Sequence, residues 1–138
     1  KMGRVFFNTL ENIDGEACAG TTTYVMKASD SGKTFLVSGG TQAITLLPAA
    51  DLIKGWNCKF RTIASPSGDK TIGAATTIIH GATANADTAA VASSDGTAKT
   101  NVIIEAASQA GNVLEIVCDG SLYHATGIQG QNAAFSFS

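Results

Sequence analysis

Apolar and polar residues alternate with a period of two along most of this chain, in short runs broken by Gly, Asp, Asn and Ser. That period is what a β-strand produces when one of its faces is buried and the other is wet. In Thr34–Val37 it sets Phe35 and Val37 on one face. In 42–46 it sets Ile44 and Leu46 against Ala43 and Thr45, and in 57–63 it turns Cys58 and Phe60 inward and Lys59 and Arg61 outward. Further strands are predicted over 22–27, 71–72, 76–79 and 100–105, the last with Val102 and Ile104 on one face. Phe135 and Phe137 mark a final strand. Residues 113–126 carry the strongest local signal: Leu114, Ile116 and Cys118 alternate, Asp119-Gly120 turns, and 122–126 runs back as the second arm of a hairpin.

Breaks between the runs have their own chemistry. Asp30-Ser31-Gly32 and Gly39-Gly40 are turns, and Pro48 closes its strand because its ring has no N–H for a ladder. Residues 49–54 fit one short helical turn stopped by Gly55. Residues 81–99, poor in large apolar side chains, read as a long loop. Residues 1–25 read as an N-terminal arm and 26–138 as one domain. Within the arm, Val5, Phe6 and Phe7 form an apolar patch that needs a partner surface, and so are candidate contacts to a neighbouring subunit or a larger shell. Helical periodicity and internal repeats are lacking. The expected fold is all-β, a β-sandwich or jelly-roll-like module of many short antiparallel strands preceded by the arm.

Composition sharpens this picture. Ala, Gly, Thr and Ser make up 64 of the 138 residues, while charged residues are only 14%, well under the usual quarter. A small-residue, weakly charged surface resists association poorly and favours assembly. The formal net charge is −2, and Lys and Arg form no cluster, so no nucleic-acid footprint is expected. No apolar run is long enough for a membrane span or a secretory signal. Cys18, Cys58 and Cys118 are odd in number and lack metal-site spacing; Cys58 and Cys118 read as small buried hydrophobes, and folding in a reducing cytoplasm is expected.

Catalytic chemistry finds little support. Ser31-Gly32-Lys33-Thr34 imitates the tail of a phosphate-binding loop, but Lys27 stands where the pattern needs Gly, and a strand follows rather than a helix. His80 and His124 have no metal-ligand spacing. Most Asp residues adjoin Gly in turns; Glu105 and Glu115, on strands, are the carboxylates a glycoside hydrolase would need to bring together. Trp56, Tyr24 and Tyr123 suit either core packing or a sugar platform, and packing is the simpler account. The expectation is a protein that is not an enzyme and has no cofactor, metal or catalytic residues.

Three segments, Ala28-Ser29-Asp30-Ser31-Gly32-Lys33-Thr34-Phe35-Leu36-Val37, Ile44-Thr45-Leu46-Leu47-Pro48 and Gly55-Trp56-Asn57-Cys58-Lys59-Phe60, together resemble the small head decoration (cement) proteins of bacteriophages. The hairpin Leu114-Glu115-Ile116-Val117-Cys118-Asp119-Gly120-Ser121-Leu122-Tyr123-His124-Ala125-Thr126-Gly127 is similar to the hairpin of that family, with Tyr123 where the family has Trp. The likeness spans about residues 26–137, and residues 1–25 match no family pattern. It implies a β-sandwich that forms a trimer, binds the outside of the capsid where major capsid subunits meet, and holds the shell against internal pressure. A tail-fibre or tailspike module for attachment to the particle or host receptor is the alternative, since similar modules occur there.

Overall fold

The computed structural model describes residues 10–12, 23–86, 92–131 and 133–138. Two sheets face each other. Sheet A has six strands in the order β1 (Leu10–Asn12), β3 (Thr34–Val37), β5 (Asn57–Thr62), β9 (Val113–Cys118), β10 (Tyr123–Gln129) and β7 (Ile79–Asn85). Sheet B has five, in the order β11 (Phe135–Phe137), β8 (Asn101–Ile104), β6 (Lys70–Gly73), β4 (Gln42–Thr45) and β2 (Thr23–Val25). The only helical pieces among the described residues are single 3-10 turns at Ala28–Asp30 and Ala49–Asp51. None is long and apolar enough to cross a membrane. The all-β sandwich expected from the alternation is the fold.

Alternation placed the strands because it is local. β3, β5 and β9 bury the predicted residues: Phe35 and Val37, Cys58 and Phe60, Leu114, Ile116 and Cys118 are all at most 1% exposed. Facing them from sheet B are Ile44, Ile72, Val102, Ile104 and Phe135. Phe35 and Phe60, neighbours in register, stack at 5.4 Å, and Tyr24 meets the edge of Phe35 at 5.7 Å. Each such buried apolar side chain contributes about 1.5–3 kcal/mol.

Three expectations change. Pairing is mixed rather than antiparallel throughout: β1 with β3, β3 with β5, β2 with β4, β4 with β6, and β7 with β10 run parallel. From β2 to β6 the chain crosses between sheets at every step. Strands two apart in sequence therefore become parallel neighbours, with an opposite-sheet strand as the crossover that parallel pairing requires. Among the described strands only β9 and β10 form a hairpin within one sheet, around Gly120 with its positive φ of 94°.

Residues 81–99 are not one long loop. Residues 81–85 complete β7, which pairs with β10 over its full length. Its inward positions Gly81 and Thr83 are small because other segments supply the volume there: the Phe137 ring lies over Gly81, and Gln129 Nε2 donates to Thr83 Oγ1 at 3.2 Å. Residues 92–99 then run along the free side of β7, with Thr83 N–H donating to the Ala92 carbonyl at 2.8 Å and Lys99 N–H to the Ile79 carbonyl at 2.7 Å. The edge of the sheet is thus covered.

The boundary of the arm also shifts. Residues 23–25 are an edge strand of sheet B, and Leu10–Asn12 an edge strand of sheet A. Val5, Phe6 and Phe7 lie outside the described residues.

Candidate interaction surfaces

The motif that resembles a phosphate loop is a structural clasp. Asp30 is fully buried at the end of its 3-10 turn. Its carboxylate accepts from Lys27 N–H at 2.8 Å, from the Tyr24 hydroxyl at 3.1 Å and from Lys33 Nζ at 2.9 Å. Gly32 turns with a φ of 82° and donates its N–H to the Asn57 carbonyl at 2.7 Å, which joins the clasp to β5. The Asp30 carboxylate, Lys33 and the Gly32 N–H are thereby engaged in structural bonds that join this turn to β2, β3 and β5.

The candidate catalytic groups remain apart. Glu115 points outward from sheet A and pairs with Lys59 at 3.6 Å. Glu105 follows the end of β8 in sheet B and accepts a hydrogen bond from Ser136 Oγ. The two carboxylates stand on opposite sides of the sandwich and frame no common cleft. Trp56 is 4% exposed and Tyr123 fully buried, edge to face at 6.3 Å; the indole N–H donates to the Lys27 carbonyl at 3.3 Å and the Tyr123 hydroxyl to the Leu47 carbonyl. These aromatic rings are packing elements, and they offer no flat sugar platform.

The two histidines, unrelated by spacing, meet through tertiary structure. His80 on β7 and His124 on β10 are register partners and their rings stack at 6.4 Å. His124 Nε2 donates to Asp119 Oδ2 at 2.8 Å, while Asp119 Oδ1 accepts from the N–H groups of Ser121 and Leu122, both at 2.8 Å. The His124 bond first, and the two backbone bonds after it, hold the Asp119 carboxyl well below the usual carboxylate range. Among the described residues no group of three His, Cys, Asp or Glu side chains is arranged to hold a metal ion. Burial, aided by Asp30 and Glu115, pushes the Cys58 thiol far above its ordinary range, so it stays protonated and inert.

What distinguishes the molecule is the contrast between its two outer faces. The register across sheet A aligns Thr34, Lys59, Glu115 and Thr126 in one row and Leu36, Arg61, Val113 and Ile128 in the next. A third row holds Asn57, Val117, His124 and His80. This face is charged and uneven, with hollows of about 290 and 220 Å³ on either side of Val113. Sheet B presents Thr23, Ala43, Thr71, Ile103 and Ser136 in one row and Val25, Thr45, Gly73 and Asn101 in the other. Among the described residues no strand position on that outer face is charged, although the Glu105 carboxylate borders it at Ser136, and most of its side chains are small. Sequence reading found the low charge overall but could not see that one face collects the uncharged positions, because sheet membership is set by pairing.

The loops at one end of the sandwich shape a further hollow of about 240 Å³, lined by Ala28, Ser31, Asp51, Ile53, Lys54, Gly55 and Trp56. Ile53 on its rim is 86% exposed. Comparison of the chain with protein-family models, with curated proteins and with solved structures gives no match.

Proposed function

We propose that this chain is a virion structural protein, a head decoration (cement) protein. It binds the outside of a phage capsid as a homotrimer and stabilises contacts between major capsid subunits. One observation carries the reading: the outer face of sheet B is a broad two-row surface without a charged strand position, on a molecule whose opposite face holds Lys59, Arg61, Glu115, His80 and His124.

Uncharged small residues let another protein approach closely without stripping water from ions, which costs several kcal/mol per ion when pairing is incomplete. Depletion of charge is also what marks the centre of protein interfaces. A clamp gains most from such a surface, because its work is shape-matched contact and needs no reactive group. The resemblance of the 28–37, 44–48, 55–60 and 114–127 segments to cement proteins supports the same reading. The sandwich gives those segments structural work: the Asp30 clasp, β4, β5 and the β9–β10 hairpin. Folding in the host cytoplasm agrees with the free, buried thiols of Cys58 and Cys118.

Cosedimentation of the purified protein with decoration-free expanded capsids of its phage, with solution mass measured in parallel, tests the proposal. Saturable binding by a trimer is expected. A protein that ignores the shell and sits on tails instead would transfer the assignment to an attachment module of a tail fibre or tailspike.

A further inference from the structure

We infer that His80 and His124 together bind a divalent transition-metal ion of the zinc type, with Asp119 as the carboxylate that orients His124. The inference goes beyond the capsid role proposed above and does not rest on it.

The two histidines are far apart in the sequence. Parallel pairing of β7 with β10 makes them register partners. Such partners on adjacent strands stand about 4.8 Å apart in the hydrogen-bonding direction. Ile79 and Tyr123, which precede them, are fully buried, so both imidazoles stand on the outer face of sheet A. The rings lie 22° from parallel, with their centres 6.4 Å apart. Zinc takes imidazole nitrogens at about 2.0–2.1 Å, so the two ligating nitrogens must come within about 4 Å of each other. Both side chains are partly exposed and can turn toward each other about χ1 and χ2. Their backbones are fixed: β10 lies between β9 and β7, and residues 92–99 cover the free side of β7.

His124 is prepared as a ligand. At neutral pH the Asp119 carboxylate is ionised and can only accept, and its Oδ1 is held by the N–H groups of Ser121 and Leu122. The bond of 2.8 Å between Asp119 Oδ2 and His124 Nε2 therefore fixes a proton on Nε2. In the neutral ring Nδ1 then keeps its lone pair, the form in which an imidazole binds a metal. A carboxylate accepting from the other ring nitrogen is the arrangement that metal-bound histidines regularly have. Two imidazoles favour ions such as Zn²⁺, Ni²⁺ and Cu²⁺ over Mg²⁺ and Ca²⁺, which prefer oxygen ligands. Two protein ligands make an open site, and water completes the coordination from the solvent side.

Calorimetric titration of the untagged full-length protein with Zn²⁺ at neutral pH tests the site. One ion per chain is expected, with no uptake of Mg²⁺. His80→Asn and His124→Asn, both on the surface and expected to fold as wild type, should each abolish the binding. Asp119→Asn should weaken it about tenfold. Nitrogen NMR spectra of the histidine rings give a readout that folding alone does not move: Zn²⁺ should shift His124 Nδ1 while Nε2 keeps its proton. Absence of saturable binding, or binding that survives either histidine variant, would overturn the site. Coordination through His124 Nε2 would overturn the role of Asp119. One ion per two chains would overturn the single-chain site in favour of one shared between two copies.

Discussion

The ring of Phe137 occupies the space that a side chain at Gly81 would need. A Cβ built at Gly81 would stand 2.5 Å from Phe137 Cε1 and 2.5 Å from the Ala125 carbonyl oxygen. The last strand of sheet B thus locks onto the edge strand of sheet A through a missing side chain. Gly81→Ala is expected to destabilise the protein by about 1–3 kcal/mol, the usual cost of overpacking. Urea denaturation measures it. Trimming the ring in a Gly81→Ala/Phe137→Leu double variant should not restore stability, because the Ala125 backbone is the second obstacle and cannot move aside. Recovery to the wild-type midpoint would show that the ring alone sets the constraint.

Asp30 is the centre of the clasp that joins β2, β3 and β5. Asp30→Ala deletes the acceptor for Lys27 N–H, the Tyr24 hydroxyl and Lys33 Nζ. The expected loss is ~3 kcal/mol, the order seen when one member of a buried charged pair is removed. Tyr24→Phe removes the hydroxyl that donates to Asp30 and should cost about 1 kcal/mol. Equal losses for the two variants would mean that Asp30 acts through the Tyr24 contact alone.

Asp119 ties hairpin stability to pH. Its carboxyl sits below the ordinary range in the folded protein, so the charged form is favoured by folding. The contribution is complete above the unfolded value of about 4 and is lost as pH falls through the lower folded value. Asp119→Asn should therefore lower the melting temperature at neutral pH, with the difference from wild type shrinking as the solution is acidified below the carboxylate range. A difference that stays constant down to strong acid would exclude the hydrogen bond from His124 and the two backbone bonds as its source.

On the proposed capsid role, a charge placed among the uncharged strand positions of sheet B should separate assembly from folding. Thr71→Lys, in the middle of sheet B's outer face, should leave the melting curve close to wild type, since surface changes usually stay within about 0.5 kcal/mol. It should abolish capsid binding or trimer formation. Thr126→Lys, on the already charged face of sheet A, should do neither. Loss of binding in Thr126→Lys with retention in Thr71→Lys would move the contact to sheet A.

The amino-acid sequence by itself determined where most of the strands lie and which of their residues face inward. The positions of Phe35, Cys58, Phe60, Leu114 and Ile116 follow from a two-residue period that each segment carries alone. The turns at Gly32 and Gly120 were equally legible, because their positive φ is a property of the residue itself. β7 was largely hidden: of the strand read at 76–79 only Ile79 belongs to it, and its run on to Asn85 was not legible. Gly81 and Thr83 show no apolar alternation, since Phe137 and Gln129, distant in sequence, fill the space that large side chains would otherwise take. Strand direction, the meeting of His80 with His124, and the gathering of uncharged positions on one face were decided only by tertiary structure. A strand's period tells which side is buried, but backbone hydrogen bonds are alike along every strand and do not encode the partner. The crossing of the chain between two sheets, driven by burial of both inner faces together, made that choice.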